Sequence, residues 1–590
     1  MRKIAIIPVV CGILLMAGFG ALQSQQSPDD PKFSKLVDTY LESYWKFYPT
    51  AGTMAGFNKF NGLLEDFSES VVDKRGIEIE AINKELMTKI SVDKLSPEVK
   101  IDREILLDAI EYDLFRLERL VPQEYNPLHY NDILLNSIRS LLAKDFAPLD
   151  ARLKSATERA KKIPELVKQA KANLKTPAKE YTEAAIRQIP AILDFYITEV
   201  PKLAESASPA VKTPFMAEHA KVIAALTDYQ KFLQTDLLAK STGNFRLGPE
   251  AHAKILRLTC QTTAMFDEFN ARAKADSNNI RREMFLVCIP YYKIMDPKFD
   301  IDNPPQNMSG DRITNAVISN VLAHIQGDQP TKDEWISKVK ASADDIKAFL
   351  AKTKLLDVPE EPLQIEAMTA LNQGSMLSKL LAPGPYDPAG SYTALIRPVP
   401  EEWTPEQIKG FFDEYNNFMI PMWTIEKIYP GSFFPAAFSR KGATLLRKMY
   451  PSQPLLRGWP LYTDEMYISA GLNSYDLRQR LNQLKLKLRA VLDYQLDLGI
   501  HQGGLTKEQA MRVWTITGFM SQPEAERRWN MIVLNPVAAA YPYVGYQEIL
   551  DMEKDYKQAK GATYNQKEFL QKLLAGGPLP LRTIKTRIIQ

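Results

Sequence analysis

Apolar residues recur at helical spacing in residues 477–491, and this periodicity constrains the fold more than any other feature of the sequence. The apolar positions lie four and three residues apart in turn, at Leu477, Leu481, Leu484, Leu488 and Val491. Such spacing places the side chains on one face of an α-helix, where they can pack against a core. The pattern therefore predicts a long helix, and we expect Gly499 to end it.

Helix-start signals occur at several other points of the chain. Each pairs Ser or Thr with Glu or Gln three residues later, which is the pattern of a capping box. The pairs are Thr331 with Glu334, Thr506 with Gln509 and Ser521 with Glu524, and Thr404-Pro405-Glu406-Gln407 adds proline at the first helical position. Residues 149–172 and 210–240 carry further amphipathic patterns, so we expect helices along most of the chain.

Alternation of apolar and polar residues, the pattern of a half-buried strand, is rare in this chain. Residues 361–368 and 392–399 are the best candidates for short strands. The 39 prolines mostly separate helical runs, which favours many helices of medium length over a coiled coil. The sequence predicts an all-α fold, a large body of many helices with at most a few short strands.

Two segments, residues 296–312 and 381–391, are rich in proline and glycine and are predicted to be loops. Neither is long enough for a flexible linker between independent domains. We therefore expect residues 27–590 to form a single large helical domain, at most in two lobes around a cleft.

Composition is ordinary for a soluble globular protein, with 45% apolar and 25% charged residues in a chain of 590. Positive and negative side chains nearly balance, at 74 Lys and Arg against 71 Asp and Glu. Nucleic-acid binding needs a concentrated positive field, so we expect no nucleic-acid partner.

Residues 1–26 have the pattern of a secretory signal. Arg2 and Lys3 precede an apolar run, and small residues follow near a plausible cleavage point. Cys11 lies too early in the run to suit lipidation. We expect a periplasmic or secreted protein with no membrane span after signal cleavage, and the alternative is an uncleaved signal that anchors the chain.

The mature chain would keep two cysteines, Cys260 and Cys288. An exported protein meets an oxidising compartment, so these residues could form a disulfide. The alternative is two buried free thiols. Two cysteines this far apart, with no C-x-x-C pair, do not form a zinc site.

Common catalytic motifs are absent from the sequence. It has no phosphate-binding glycine loop, no dinucleotide fingerprint, no G-x-S-x-G and no H-E-x-x-H. Its five histidines all lie more than one helical turn from one another, so no helix presents two imidazoles to one metal ion.

Several segments, taken in order, resemble one bacterial family. They are Tyr48-Pro49-Thr50-Ala51-Gly52-Thr53-Met54-Ala55-Gly56, Gly243-Asn244-Phe245-Arg246-Leu247-Gly248-Pro249-Glu250, Leu498-Gly499-Ile500-His501 with Leu505-Thr506-Lys507-Glu508-Gln509-Ala510, and Pro578-Leu579-Pro580-Leu581. The chain resembles the bacterial domain of unknown function 885 family nearly from end to end. This family consists of exported, mostly helical proteins regarded as zinc-dependent peptidases or related hydrolases.

The site motif of that family reads roughly H-E-x-x-P-G-H-H, followed downstream by E-G-W-A-L-Y-x-E. The resemblance aligns the Pro-Gly of the first part with Pro430-Gly431 and the Gly-Trp of the second with Gly458-Trp459. The family's metal-site positions then fall on Glu426 for the first histidine, Lys427 for the water-activating glutamate, Ser432 and Phe433 for the paired histidines, Arg457 for the ligand glutamate and Asp464 for the last acid.

These replacements disfavour a zinc ion. Catalytic zinc usually takes three protein ligands, mostly imidazole with a carboxylate, and Glu426 is the one strong ligand left among the aligned ligand positions. A cation on Lys427 or Arg457 at ~4 Å would oppose the metal by several kcal/mol. Lys427, while charged, cannot accept a proton as a general base. We therefore expect no zinc and no other cofactor.

Two interpretations of the aligned residues stay open. Glu426 and Asp464 could form an ion-pair network with Lys427 and Arg457. Alternatively, Arg457, Lys427, Ser432 and His501 could bind an anionic group, because the planar guanidinium suits carboxylates.

Two further residues are candidates for the same pocket. His501 could contact the ligand or cap carbonyl groups at the end of its helix. Tyr543, in an aromatic segment with Tyr541 and Tyr546, could line the cavity or pack in the core.

The sequence thus favours an exported, peptidase-like protein that has lost its zinc site. Such a protein would bind a peptide or another small anionic ligand, or act as a scaffold in the cell envelope. The alternative is an active hydrolase, either a metallopeptidase with an atypical ligand set or a metal-free enzyme that uses Glu426, Asp464 or His501.

Overall fold

Helices dominate the computed structural model, which describes residues 27–262, 266–300, 310–369, 376–388, 390–441 and 443–589. The first helices are α1 Asp30–Phe47, α2 Pro49–Met54, α3 Glu69–Lys89, α4 Pro97–Phe115, α5 Pro122–Tyr125, α6 Pro127–Leu142, α7 Leu149–Ala160, α8 Ile163–Asn173 and α9 Lys179–Asp194. They are followed by α10 Val200–Leu203, α11 Pro209–Phe232, α12 Leu238–Lys240, α13 Pro249–Cys260, α14 Phe266–Met295, α15 Gly310–Ile325 and α16 Trp335–Thr353.

The helices of the last third carry most of the predicted site. Those that begin before residue 500 are α17 Pro405–Glu414, α18 Met419–Lys427, α19 Phe433–Phe438, α20 Leu445–Met449, α21 Gln453–Ser469 and α22 Leu477–His501. The rest are α23 Lys507–Arg512, α24 Gln522–Leu534, α25 Tyr541–Lys560, α26 Gln566–Ala575 and α27 Leu581–Ile589. The all-α class is confirmed.

Proline usually begins helices here, because its fixed φ suits the first turn and its missing N–H has no helical partner there. Pro97, Pro164 and Pro201 occupy this position in α4, α8 and α10. Pro190 differs, since it lies inside α9, and a π-helical turn follows at Phe195–Glu199. Pro190 is therefore an exception to the prediction that the prolines mostly separate helical runs.

Two capping boxes are complete. Thr404 and Thr506 each accept a hydrogen bond from the backbone of the glutamine three residues later, and that glutamine bonds back to the threonine N–H. The box predicted at Ser521 does not form. Its backbone N–H donates to Glu414, while Glu524 pairs with arginines of its own helix.

The pair Thr331 and Glu334 is linked, but it does not begin a helix directly. The Glu334 carboxylate accepts bonds of 2.9 Å from both the N–H and the hydroxyl of Thr331. The helix α16 begins one residue later, at Trp335.

The predicted long helix is α22, and most of its apolar stripe is buried. Leu481, Leu484 and Leu488 join a core cluster with α14 and α15, whereas Leu477 is 39% exposed at the helix start. Our prediction that Gly499 ends α22 is wrong, because the helix continues to His501. A Cβ at residue 499 would meet the Leu505 side chain at 2.3 Å, so the glycine allows a close approach of the following chain.

One small sheet contains both predicted strands and a third that the sequence did not indicate. The strands are β1 Leu363–Ala367, β2 Ser378–Leu381 and β3 Tyr392–Ile396, in the spatial order β1-β3-β2. β3 pairs in parallel with β1, from Leu363 opposite Tyr392, and antiparallel with β2.

The predicted loops are confirmed in part. Leu381 belongs to β2, but the described residues of 382–391 form neither helix nor strand. In the other segment residues 301–309 lie outside the described residues, and α15 already begins at Gly310. Residues 1–26, the predicted signal, also lie outside them.

The two cysteines are buried free thiols in the core cluster around α14 and α22. Burial raises the pKa of Cys288 to about 12 and that of Cys260 well above its ordinary value, so neither thiol ionises readily. Of the two alternatives that the sequence left open, the structure has the free thiols. Across the described residues, no helix is long and apolar enough to cross a membrane.

Candidate functional site

The first part of the aligned motif lies at the end of α18. Glu426 is 6% exposed, and its carboxylate forms an ion pair with the Lys427 ammonium. The chain then turns back tightly, and the Gly431 N–H donates to the Ile425 carbonyl over 2.9 Å. A Cβ on Gly431 would lie 2.2 Å from the carbonyl oxygen of Glu426, so this turn requires glycine.

The second part of the motif lies on α21, where that helix crosses α25. A Cβ on Gly458 would lie 2.3 Å from the backbone of Gly545, and one on Gly545 would lie 1.8 Å from the Pro454 carbonyl oxygen. Trp459 is fully buried beside this crossing. Packing therefore explains why glycine and tryptophan occupy these motif positions without any catalytic role.

Asp464 lies farther along α21 and is 1% exposed. Burial and the charge of Glu426 raise the pKa of Asp464 well above its ordinary value, although Lys427 opposes this. Neither carboxyl oxygen has a hydrogen-bond partner within the described part of the chain. Glu426, Lys427 and Asp464 therefore converge in one closed cluster, which we call the motif cluster.

The motif cluster does not fit a zinc ion. Its one ionised carboxylate, on Glu426, already binds an ammonium group, and the raised pKa of Asp464 favours its neutral form. Phe433 packs its ring 5.2 Å from that of Tyr392. Ser432, half-buried, precedes α19 and makes no capping bond to it. In the described chain, no three His, Cys, Asp or Glu residues are grouped as metal ligands would be.

Arg457 lies apart from the motif cluster, two helical turns before Asp464 on α21. Its side chain is exposed, and within the described part of the chain it interacts electrostatically with Tyr541 and forms no ion pair with an acid. Burial among surrounding protein atoms lowers the pKa of Arg457, with Tyr541 opposing this. An exposed group that is also partly desolvated is expected on the wall of a confined, water-accessible space. Of the ion-pair network considered for these four charged residues, the described structure forms the Glu426–Lys427 pair and no other.

A cavity of about 200 Å³ lies near Arg457, and we call it the tyrosine cavity. Gln453, one turn before Arg457 on α21, lines it, as does Thr259, which bonds to Tyr541. The side chains that line it with hydroxyl or charged groups are Tyr40, Tyr44, Asp108, Tyr112, Asp113, Arg116, Thr259 and Tyr450.

Arg116 lines the tyrosine cavity and brings a second guanidinium to this region. It stacks 5.2 Å from the ring centre of Tyr48, whereas the nearby acid Asp113 pairs with Arg75 over 2.6 Å. Among the described residues Arg116 forms no ion pair. Burial lowers its pKa, but Tyr48 and neighbouring tyrosines outweigh this, and the pKa of Arg116 is raised. Sequence analysis missed this residue, because a lone arginine at the end of a helix has no distinguishing pattern.

His501 lies in a separate buried cluster. Its Nε2 is 3.1 Å from the Ile532 carbonyl oxygen of α24, and its ring stacks on His252 with centres 5.6 Å apart. Asp497 lies 2.8 Å from His252 Nε2. Burial lowers the pKa of His501, which favours its neutral form. The structure does not bring His501 to the motif cluster or to the tyrosine cavity.

Tyr543 is 1% exposed and also lies away from these sites. Its hydroxyl donates to Asp276 over 2.8 Å, and its ring packs 5.1 Å from that of Tyr494. Of the aromatic segment in which it lies, Tyr541 is the residue that interacts with Arg457.

A second and larger cavity, of about 910 Å³, lies between α6 and α9 on one side and α17 and α24 on the other. We call it the large cavity. No residue of the predicted pocket lines it. Its lining residues come from five parts of the chain that are distant in sequence, so no local pattern could indicate it.

A family model described as "Bacterial protein of unknown function (DUF885)" matches residues 49–588. The chain belongs to this family. Among curated proteins, none matches the sequence.

Two solved structures share the DUF885 fold of this chain. One is "a putative lipoprotein of unknown function" from Shewanella oneidensis, 23% identical, with a TM-score of 0.79 over 95% of this chain and 100% of its own. The other is "the putative lipoprotein" from Colwellia psychrerythraea, 14% identical, with a TM-score of 0.73 over 94% of this chain and 98% of its own. These likenesses concern the fold alone.

Two segments that carried the DUF885 resemblance pack against each other. Arg246 donates to the Ile500 carbonyl over 2.8 Å and to the Leu505 carbonyl over 2.9 Å, and the Gly248 N–H donates to the His501 carbonyl over 3.0 Å. The first segment thus satisfies carbonyl groups at and beyond the end of α22. Their role in this fold is structural.

Proposed function

We propose that this DUF885 protein is an exported binding protein of the cell envelope without a zinc site. Its ligand is a small anion or an anionic group of a larger molecule, such as the carboxylate of a peptide. The binding site is the tyrosine cavity, where Arg116 on the cavity wall and Arg457 nearby supply positive charge. The single observation that carries this proposal is that neither arginine forms an ion pair among the described residues, although Asp113 interacts electrostatically with Arg116.

The chemistry of the tyrosine cavity supports an anionic ligand. A guanidinium group binds carboxylates through two parallel N–H donors, and tyrosine hydroxyls can donate further bonds. A volume of about 200 Å³ suits a terminal carboxylate with a small side chain rather than a whole peptide. Partial desolvation of both arginines strengthens their attraction for an anion.

The chemistry of the motif cluster supports the loss of the zinc site. Lys427 supplies a positive charge next to Glu426, so a dication there would displace the ammonium group and then lack imidazole ligands. Zinc bound to the purified protein at one equivalent, and lost on Glu426→Ala, would refute this part of the proposal.

Two observations support the cell envelope as the location. Residues 1–26 have the pattern of a secretory signal. Both structural neighbours are described as lipoproteins, and lipoproteins are proteins of the envelope. Cell fractionation of the native host tests the location directly.

Titration calorimetry with N-acetylalanine tests the anion site. We expect Arg457→Gln and Arg116→Gln each to weaken its binding about tenfold, because each removes a charged hydrogen bond. N-acetylalanine amide, which lacks the carboxylate, should bind the wild type no better than the variants.

Arg312→Gln is the matched control, since Arg312 is exposed and contacts no described residue by hydrogen bond or ion pair. It should leave the affinity unchanged. Equal affinity of the wild type and both cavity variants for N-acetylalanine would contradict the proposal.

The second candidate function is hydrolysis without a metal. It rests on Asp464, whose raised pKa favours a protonated acid beside the carboxylate of Glu426, the arrangement of an acid–base pair. A peptide library incubated with wild type and Glu426→Ala separates the candidates. Turnover that the substitution abolishes would establish the hydrolase, and the absence of turnover favours the binding protein.

A further inference from the structure

Two side chains of opposite charge line the large cavity without forming an ion pair with each other. Asp132 on α6 and Arg187 on α9 both line it, and both are exposed. Neither forms an ion pair or a side-chain hydrogen bond within the described chain. Burial raises the pKa of Asp132 to about 6, with Lys379 opposing this, as expected for a carboxyl group on a cavity wall.

The opposite side of the large cavity, which we call its floor, contains two carboxylates that are already paired within the protein. Glu414 on α17 is 1% exposed and binds Lys485 over 2.9 Å together with Arg489 and the Ser521 N–H. On α24, Glu524 accepts two bonds of 2.7 and 2.8 Å from Arg527. These two carboxylates are therefore not available to a ligand, in contrast to the charges of Asp132 and Arg187.

Between these sides lie aromatic and amide groups. Trp403, Phe411 and Tyr415 provide an apolar wall. Asn131, 1% exposed, lines the cavity beside Asp132, and its Oδ1 has no hydrogen-bond partner among the described residues. Its Nδ2 already donates to the Ala185 carbonyl over 3.1 Å, so the free group is an acceptor for an N–H donor.

We propose that the large cavity binds a short peptide with free ends, whose ammonium group pairs with Asp132 and whose carboxylate pairs with Arg187. A cavity of about 910 Å³ has room for a peptide of a few residues. The aromatic wall takes an apolar side chain, and Asn131 accepts a peptide N–H. This site is separate from the tyrosine cavity, and no residue lines both.

The test uses the tripeptide Ala-Phe-Ala, its N-acetylated form and its C-amidated form. Calorimetry is performed on the full chain with Arg116→Gln and Arg457→Gln already present, so that the tyrosine cavity contributes no carboxylate binding. In this background, Asp132→Asn should weaken the free and amidated peptides about tenfold and leave the acetylated peptide unchanged. Arg187→Gln should weaken the free and acetylated peptides about tenfold and leave the amidated peptide unchanged.

A third variant, Ala191→Trp, fills the cavity from α9, since Ala191 is a half-buried lining residue. It should reduce the affinity for all three peptides at least tenfold without changing the melting temperature. Matched controls are Asp93→Asn and Arg312→Gln, both exposed and outside the cavity. The proposal would be overturned if Ala-Phe-Ala did not bind, or if Ala191→Trp bound it as tightly as the background protein. It would also be overturned if Asp132→Asn or Arg187→Gln weakened the binding of all three peptides equally.

Discussion

The motif cluster and the large cavity use charge in opposite ways. In the motif cluster Glu426 and Asp464 are buried, and the one ionised carboxylate is paired with Lys427. In the large cavity Asp132 and Arg187 are exposed and unpaired within the described chain, above a floor of paired charges. The difference teaches that residues of a sequence motif can serve packing in the core. Unpaired charged groups that are accessible to a ligand can lie where the sequence has no motif.

The floor of the large cavity gives the largest expected effect. Glu414→Gln leaves Lys485 and Arg489 buried without their common carboxylate, so we expect a loss of about 3–5 kcal/mol in the free energy of unfolding. Urea unfolding followed by circular dichroism measures it. Glu165→Gln, in an exposed pair with Lys168, should change stability by less than about 0.5 kcal/mol. If Glu414→Gln left the free energy of unfolding unchanged, the contrast between the paired charges of the floor and the unpaired charges of α6 and α9 would not hold.

The helix crossing in the motif region gives the next effect. Gly458→Ala places a methyl group 2.3 Å from the backbone of Gly545, so we expect a loss of about 1–3 kcal/mol or more. Gly76→Ala in α3 is the control, because its Cβ meets nothing within 4 Å. It should stabilise the protein by about 0.5–1 kcal/mol, since alanine favours the helix interior. Similar melting temperatures for both variants would show that the motif glycine has no packing role.

Asp464→Asn gives the smallest effect and a dependence on pH. The pKa of Asp464 is raised in the folded state, so its contribution to stability is full below the unfolded pKa of about 3.9 and is lost as pH rises towards the folded value. We therefore expect the variant to be more stable than wild type at pH 7, by on the order of 1 kcal/mol, and to show no such gain near pH 4.

Thermal unfolding of both proteins between pH 4 and 8 measures this difference. Asp93→Asn, at an exposed position, should show a flat difference over the same range. A constant offset for Asp464→Asn would mean that Asp464 is already ionised in the motif cluster, and the proposed closed, neutral state would be wrong.

Local patterns predicted the helices well. The capping boxes at Thr404 and Thr506, the apolar stripe of α22 and the strands β1 and β3 are encoded by neighbouring residues and are confirmed. The exceptions arose where tertiary contacts decided the outcome. Gly499 serves the approach of Leu505 instead of ending the helix, and Ser521 gives its N–H to Glu414, 107 residues away in sequence.

The candidate site was less predictable for the same reason. Glu426, Lys427 and Asp464, which the alignment assigns to one site, lie close together because two packed helices carry them. It could not indicate that Arg457 faces Tyr541 instead. Arg116, Asp132 and Arg187 had no sequence signal, because a charged residue on a helix surface looks the same whether it faces bulk solvent or a cavity. Their roles as ligand-binding residues stay predictions.

The tyrosine cavity combines residues that are far apart in the polypeptide, as the 3.1 Å contact between the Tyr40 and Tyr450 hydroxyls illustrates. A ribosome adding about 5–20 residues per second needs roughly 17–68 s to go from Tyr112 to Gln453, both of which line the cavity. During that interval, the early helices expose aromatic surface whose covering has not yet been synthesised. A nascent chain of this kind would depend on chaperones that hold it until its last quarter arrives.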